Sequence, residues 1–222
     1  MESILQNIAE PVYKALDRYK NVPNIEIEGR LGIFDHDVKS FDTNIGEDYY
    51  NSILKLLESC KKWETQNNTH VTDFFNDKLR LSVDNETAKQ FCIEKKKLEQ
   101  FTFVNENGPL DFRITISKED PVRVEKFPTK NRNTMKQREK KRKSFKLNNY
   151  NFDLTKILNK NSKNDIEEYY EYEVENTKNI NSKHTIDSII LKLLDAIYSC
   201  EGFIKTDDNS LPTENLSIFL VK

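Results

Sequence analysis

Apolar residues recur at helical spacing in three segments of the chain and at alternating spacing through most of the rest. Residues 2–20 place Ile4, Ile8, Val12 and Leu16 on one stripe, which predicts an amphipathic helix kinked or broken at Pro11. Residues 47–60 carry Ile53, Leu54, Leu56 and Leu57, and residues 185–200 carry Ile186, Ile189, Ile190, Leu193, Leu194 and Ile197; both segments predict helices with a buried face. Between them the period is two. Strands are predicted at about 24–33, 63–75, 78–83, 90–97, 101–104, 111–119, 136–146, 151–157 and 168–176. Loops rich in Asn, Lys, Pro or Gly are predicted at Asn105–Pro109, Asp120–Asn133 and Asn159–Asp165. Many strands with few helices point to a mainly β fold with flanking helices (α+β), a closed antiparallel barrel of about eight strands, because closure leaves no exposed edge. One domain over residues 1–222 is expected.

The strands have charged faces. With Ile25, Ile27 and Leu31 on one side, Glu26, Glu28 and Arg30 share the other. Tyr170, Tyr172 and Val174 likewise oppose Glu171, Glu173 and Glu175. Leu79, Leu81 and Val83 leave Lys78, Arg80 and Ser82 together, and Phe112, Ile114 and Ile116 leave Asp111, Arg113, Thr115, Ser117 and Glu119. Phe145 and Leu147 set the register of the basic run, so that Lys136, Arg138, Lys140, Arg142 and Ser144 line one face, while Phe152 and Leu154 leave Asp153 and Thr155. Any one of these faces is explained by solvent exposure. Together, alongside helices that need a surface on which to bury their stripes, they imply a barrel with its apolar side outward and its charges in the lumen. Buried charges are costly unless compensated. A divalent cation on the acids and a phosphate chain on the bases satisfies both. Carboxylate oxygens suit Mg²⁺ or Mn²⁺, and guanidinium and ammonium groups suit phosphate.

Composition narrows the class further. At 36% hydrophobic and 32% charged residues the chain is polar but, with 13 Phe and 9 Tyr, able to build a core. The net charge of −2 conceals the sign-segregated strand faces. No apolar run is long enough to span a bilayer, and the N-terminus lacks the basic start and apolar run of a signal peptide. Cys60, Cys92 and Cys200 have no metal-ligand spacing and point to reduced thiols in an intracellular compartment. His36, His70 and His184 are isolated and read as ordinary surface or loop residues.

The order of these motifs resembles the fungal and protist type of mRNA-capping RNA 5′-triphosphatase, a branch of the triphosphate tunnel metalloenzymes. The resemblance rests on Ile25-Glu26-Ile27-Glu28-Gly29-Arg30-Leu31-Gly32, on Glu171-Tyr172-Glu173-Val174-Glu175, and on Arg138-Glu139-Lys140-Lys141-Arg142-Lys143-Ser144-Phe145 between them. Ile93-Glu94-Lys95, the segment from Arg113 to Pro121, and Asp153-Leu154-Thr155 fall in the expected order, so the resemblance covers about residues 24–178. It implies that Glu26, Glu28 and Glu175 bind Mg²⁺ or Mn²⁺. It implies that Glu119 and Glu173 position the attacking water. The phosphate ligands would be Arg80, Lys95, Arg138, Lys140 and Arg142, with Arg113 as a weaker candidate. Glu171, grouped with the catalytic carboxylates, would support the basic strand by ion pairing, and Arg30, Asp153 and Thr155 would brace the site. Counting from Phe91 and Ile93 places Lys95 on the apolar face unless a bulge intervenes, with Lys96 as the alternative. The chain contains no Lys-x-Asp-Gly guanylyltransferase motif. The implied partners are therefore 5′-triphosphate RNA and a separate guanylyltransferase subunit in the nucleus, with no membrane; a homodimer is left open. Two other readings stand beside this one: an inorganic polyphosphatase or nucleoside triphosphatase of the same tunnel type, and a non-catalytic RNA- or phosphate-binding barrel. Paired glutamate strands disfavour the last, because acids repel phosphate unless a metal intervenes.

Overall fold

The computed structural model describes residues 2–19, 21–128, 135–160, 166–176, 183–200 and 217–221. In chain order its elements are α1 (Glu2–Tyr19), β1 (Ile25–Asp35), β2 (Ser40–Asp42), α2 (Gly46–Ser59), β3 (Thr65–Asn76), β4 (Leu79–Asp84), β5 (Gln90–Asn105), β6 (Asp111–Val122), a 3₁₀ turn (Val124–Lys126), β7 (Lys136–Leu147), β8 (Tyr150–Lys160), β9 (Ile166–Asn176), α3 (Lys183–Cys200) and β10 (Ile218–Leu220). Eight strands close antiparallel in the order β1–β6–β5–β4–β3–β7–β8–β9 and back to β1. The short strands β2 and β10 extend β1 and β5.

Alternation places the apolar residues outside this barrel. Ile27, Leu31, Phe103, Phe112, Ile114, Ile116, Phe145, Phe152, Leu154, Tyr172 and Val174 join one core with Ile53 and Leu57 of α2, Ile189, Ile190 and Leu193 of α3, and Ile8, Val12 and Leu16 of α1. Helix α3 packs on β1 and β9, α2 on β9, and α1 on α3. Trp63 closes one side of this core, 5.4 Å from the ring of Phe145 and 5.0 Å from that of Phe152. Burying each such side chain stabilises the fold by about 1.5–3 kcal/mol, so the inverted barrel depends on its helices. A second, smaller cluster of Leu81, Cys92 and Phe127 covers the outside of β4 and β5.

Several expectations change. Helix α1 runs through Pro11 without ending there. One missing N–H and a ring clash, about 3 kcal/mol, are offset by burial of Ile8, Ala9, Val12, Ala15 and Leu16 around it. The side chain of Ile4 lies outside the described residues, as do residues 129–133 and 161–165 of the expected loops. The expected strands 90–97 and 101–104 are one strand, β5, interrupted by a bulge between Lys97 and Glu99. Strand β6 continues through Pro121 to Val122, where a loop was expected. His70 is a surface residue of β3, within the expected strand, and its Nε2 lies 2.7 Å from Glu139 Oε1 on the outer face. Cys60 and Cys92 are free thiols, and the side chain of Cys200 is outside the described residues.

Gly29 lies between Glu28 and Arg30 and faces α3. A Cβ there would come within 2.5 Å of Ile189 Cγ2 and 2.7 Å of Leu193 Cδ1, both on fully buried side chains. The glycine lets α3 pack directly behind the most charged stretch of β1. Gly29→Ala is expected to lower the unfolding free energy by about 1–3 kcal/mol through overpacking, read as a lower urea midpoint at unchanged m-value. An unchanged midpoint would show that α3 does not pack this closely.

Candidate active site in the barrel lumen

The registers put the charged faces of all eight strands into one lumen. Glu28 stands opposite Thr115 of β6 and Glu175 of β9; Arg30 stands opposite Arg113 and Glu173. Around the wall, Asp153 faces Glu173, Arg142 faces Thr155, and Asp73 faces both Arg138 and Ser82. Lys95 faces Glu119. Every site residue taken from the sequence therefore lies on this inner surface.

Two residues tie the carboxylates together. Lys95 Nζ donates to Glu26 Oε1 at 2.9 Å and Glu28 Oε2 at 3.3 Å, and lies 2.9 Å from Glu119 Oε1. Arg30 Nη2 lies 3.1 Å from Glu28 Oε2 and 3.0 Å from Glu173 Oε2, while its Nη1 lies 3.6 Å from Glu171 Oε2. Arg142 donates from Nε to Thr155 Oγ1 at 2.9 Å and from Nη1 to Asp153 Oδ2 at 2.7 Å, with its Nη2 3.8 Å from Glu173. Arg80 Nη2 lies 3.3 Å from Glu119 Oε1.

The structure decides between Lys95 and Lys96: Lys95 enters the lumen and Lys96 is exposed. Phe91 and Ile93 mislead because they occupy the lumen side near the end of the barrel, while Cys92 between them is buried outside. The bulge comes after Lys95 and returns Phe101 and Phe103 to the apolar exterior. Glu171 also differs from its expected role. It pairs with Arg30 of β1 and accepts a 2.7 Å hydrogen bond from Thr43, and among the described residues it makes no ion pair with the basic strand β7. Lys141 is exposed, and Lys143 points outward to pair with Glu58 of α2.

Glu26, Glu28 and Glu173 present carboxylate oxygens within 4.8 Å of one another, and Glu175 adjoins them across the β1–β9 pair. Such hard oxygen donors fit a divalent cation. The buried Nε atoms of Arg30, Arg80, Arg113 and Arg138 have no hydrogen-bond acceptor among the described residues, and Asp153 Oδ1 has no donor among them. Buried polar atoms are ordinarily satisfied, so these donors fit the oxygens of an anion held in the lumen.

Comparison with known proteins agrees with this geometry. A model of the family described as mRNA capping enzyme, beta chain, matches residues 32–190. The chain belongs to this family. Its barrel is similar to that of the Pct1 RNA triphosphatase of S. pombe, with a TM-score of 0.67 and 20% identity over 87% of this chain and 84% of that one. The Mimivirus capping enzyme triphosphatase is similar with a TM-score of 0.59 and 18% identity over 87% and 98%. Among curated proteins, no sequence matches detectably.

The match to the capping-enzyme beta-chain family begins at Gly32 and so leaves out Glu26 and Glu28. Their place beside the matched glutamate strand comes from the β1–β9 pairing. A buried acid of the lumen, Asp73 in β3, was not singled out from the sequence. Asp73 is buried, lies 2.6 Å from Lys140 Nζ, and accepts a 2.6 Å hydrogen bond from Ser82. Neighbouring Phe74 and Phe75 give β3 no clean alternation, so nothing in the sequence marked the face of Asp73.

Crowding shows in the titration of this beta-chain site. Burial pushes the Glu26 carboxyl up to about 9, against Lys95 and helped by repulsion from Glu28, Glu119 and Glu175. Burial, with Glu173 and Asp153, raises Glu175 to about 7. Glu28 shifts the other way: burial opposes its charge, but Arg30, Lys95 and a hydrogen bond from Glu26 outweigh it and hold it well below the usual range. Without a cation, Glu26 therefore keeps its proton well above the usual carboxylate range. An unfolded glutamate ionises near 4.5, so the contribution of Glu26 is full below that value and is lost as pH rises through about 9. The stabilising shift of Glu28 is present above 4.5 and lost only in acid, outside this window. The Tm of the metal-free protein is expected to fall between pH 6 and pH 9.5. Glu26→Gln should flatten that fall, and saturating Mg²⁺ or Mn²⁺ should reverse it. A metal-free Tm independent of pH over this range would contradict a retained proton on Glu26.

Proposed function

We propose that this chain is a metal-dependent RNA 5′-triphosphatase, removing the γ-phosphate from triphosphate-ended RNA as the first step of mRNA capping. The observation that carries the reading is the pairing, in one lumen, of a carboxylate cluster with guanidinium nitrogens that lack acceptors. A triphosphate with a divalent cation balances both; a surface that binds RNA without chemistry has no use for the acids.

Glu26, Glu28, Glu173 and Glu175 would hold Mg²⁺ or Mn²⁺, which would draw charge from the γ-phosphate. Arg80, Lys95, Arg138, Lys140 and Arg142 grip the phosphate oxygens, and Arg113 reaches the same lumen. Water attacks the γ-phosphorus, the bond to the β–γ bridging oxygen breaks, and its electrons pass to the new terminal phosphate of the RNA 5′-diphosphate. The water proton goes to a carboxylate. Glu119 suits this role because Lys95 and Arg80, outweighing burial, keep it ionised. Glu173, buried beside Arg30 and Arg142, orients the attacking oxygen. Little covalent work falls to the protein, so positioning and charge neutralisation carry the rate. Asp73 fixes Lys140, Asp153 and Thr155 fix Arg142, and Glu171 fixes Arg30. A separate guanylyltransferase subunit would use the diphosphate product in the nucleus. Pct1 has been captured in complex with the Spt5 CTD, so a protein partner of that kind is part of this proposal.

The deciding assay is phosphate release from γ-labelled triphosphate RNA with and without Mg²⁺ or Mn²⁺, alongside ATP and inorganic tripolyphosphate. Glu26→Ala, Glu28→Ala and Glu175→Ala should each lower metal-dependent turnover by on the order of 10²-fold or more with the fold intact. Near-normal rates in all three would remove the metal assignment.

The basic strand gives a separate test. Arg138→Ala, Lys140→Ala and Arg142→Ala should cost on the order of 10²-fold in kcat/KM, and Arg142→Lys should also lose activity because an ammonium cannot span Thr155 and Asp153 together. Lys141→Ala and Lys143→Ala should stay within about twofold, as outward charges contribute little. Equal losses on both faces would mean a diffuse RNA-attracting patch in place of a tunnel.

A further inference from the structure

Phe91 is 55% exposed, yet its position in the sheet belongs to the lumen side. It is the second residue of β5 and pairs with Ser82 of β4, whose hydroxyl points inward to Asp73. Two residues farther along, Ile93 stands between Arg80 and Pro121 on the same surface, and Lys95 follows. One wall thus passes from the phosphate-binding bases, through Ile93, to an aromatic ring at the lip. Two residues of strand span about 6.8 Å, so Phe91 lies roughly two such steps out from Lys95, within the reach of a nucleoside whose phosphates are held inside.

The opposite end has different surroundings. A Cβ on Gly32 would meet the carbonyl of Asp42 and the ring of Phe41, and the Arg113 guanidinium lies 4.6 Å from the centre of that ring. Thr43 bonds Glu171. Residues 41–43 therefore lie against the end beyond Arg30, and Phe91 stands at the other end, the one away from these residues. A phenyl ring that is exposed and has no aromatic neighbour among the described residues, beside the proposed phosphate site, matches what sequence-tolerant base stacking requires.

We propose that Phe91 stacks on the first nucleobase of the 5′-triphosphate RNA and orients its triphosphate into the lumen. This rests on the triphosphatase reading and adds to it a base contact on the substrate. The experiment measures KM for triphosphate RNA beginning with guanosine, KM for the same RNA with an abasic first nucleotide, and the inhibition constant of inorganic tripolyphosphate, in wild type and in Phe91→Ala, Phe91→Leu and Phe91→Trp. Phe91→Ala should raise KM for the guanosine-initiated RNA on the order of tenfold, with kcat and the tripolyphosphate inhibition constant within about twofold. Phe91→Trp should restore the wild-type KM, and Phe91→Leu should not. Wild type should also bind the abasic RNA more weakly by a similar factor, and Phe91→Ala should not distinguish the two RNAs. An unchanged KM in Phe91→Ala, a rise equal for the abasic RNA, or full rescue by Phe91→Leu would overturn the stacking contact while leaving the triphosphatase reading intact. Absence of wild-type turnover on any triphosphate RNA would overturn both.

Discussion

The energetic constraint on this protein is the enclosure of many opposite charges in a barrel lumen. A carboxylate taken out of water is costly unless a cation meets it, and Lys95 and Arg30 supply that compensation at the centre of the site. Each spans carboxylates from more than one position: Lys95 joins Glu26 and Glu28 to Glu119, and Arg30 joins Glu28 to Glu171 and Glu173. These contacts join β1 to β5, β6 and β9. The compensation remains incomplete, as the raised titration of Glu26 and Glu175 and the unsatisfied guanidinium nitrogens show. A site left short of cations on one wall and of acceptors on another is prepared for a metal and an anion together.

Filling the lumen with charge dictates the rest of the architecture. The apolar face of each strand must turn outward, and water would then meet Phe112, Ile114, Tyr172 and Val174 unless other elements covered them. Helices α1, α2 and α3 provide the cover, and Gly29 allows α3 to approach the backbone of the glutamate strand. The outer core is consequently part of the catalytic apparatus in a mechanical sense. It holds β1 and β9 in register, and the register sets the separation of their carboxylates.

The same packing separates the roles of residues adjacent in sequence. In β7, Lys140 is held inward by Asp73 and Arg142 by Asp153 and Thr155, while Lys143 is drawn outward by Glu58. A run that is uniformly basic in sequence becomes two surfaces with different functions. One lines the lumen beside its carboxylates; the other fastens a helix.

The sequence by itself determined the fold class, the inward set of charges on most strands, and the family resemblance, because a period of two with Phe, Ile or Leu on one side admits only one burial face per strand. It fixed Glu26 with Glu28, Glu171 with Glu173 and Glu175, and Arg138 with Lys140 and Arg142. Tertiary structure alone decided what the period could not encode. The orientation of Lys95 depended on where β5 bulges and on Phe91 and Ile93 lying near a barrel end, where the lumen side tolerates apolar residues. Asp73 stayed hidden because adjacent Phe74 and Phe75 erase the alternation of β3. Pro11 remained inside its helix because long-range burial exceeded a local cost of about 3 kcal/mol. The partner of Glu171 was equally out of reach, since ion pairing across a barrel depends on which strands adjoin, and adjacency of β1 with β9 is a property of closure.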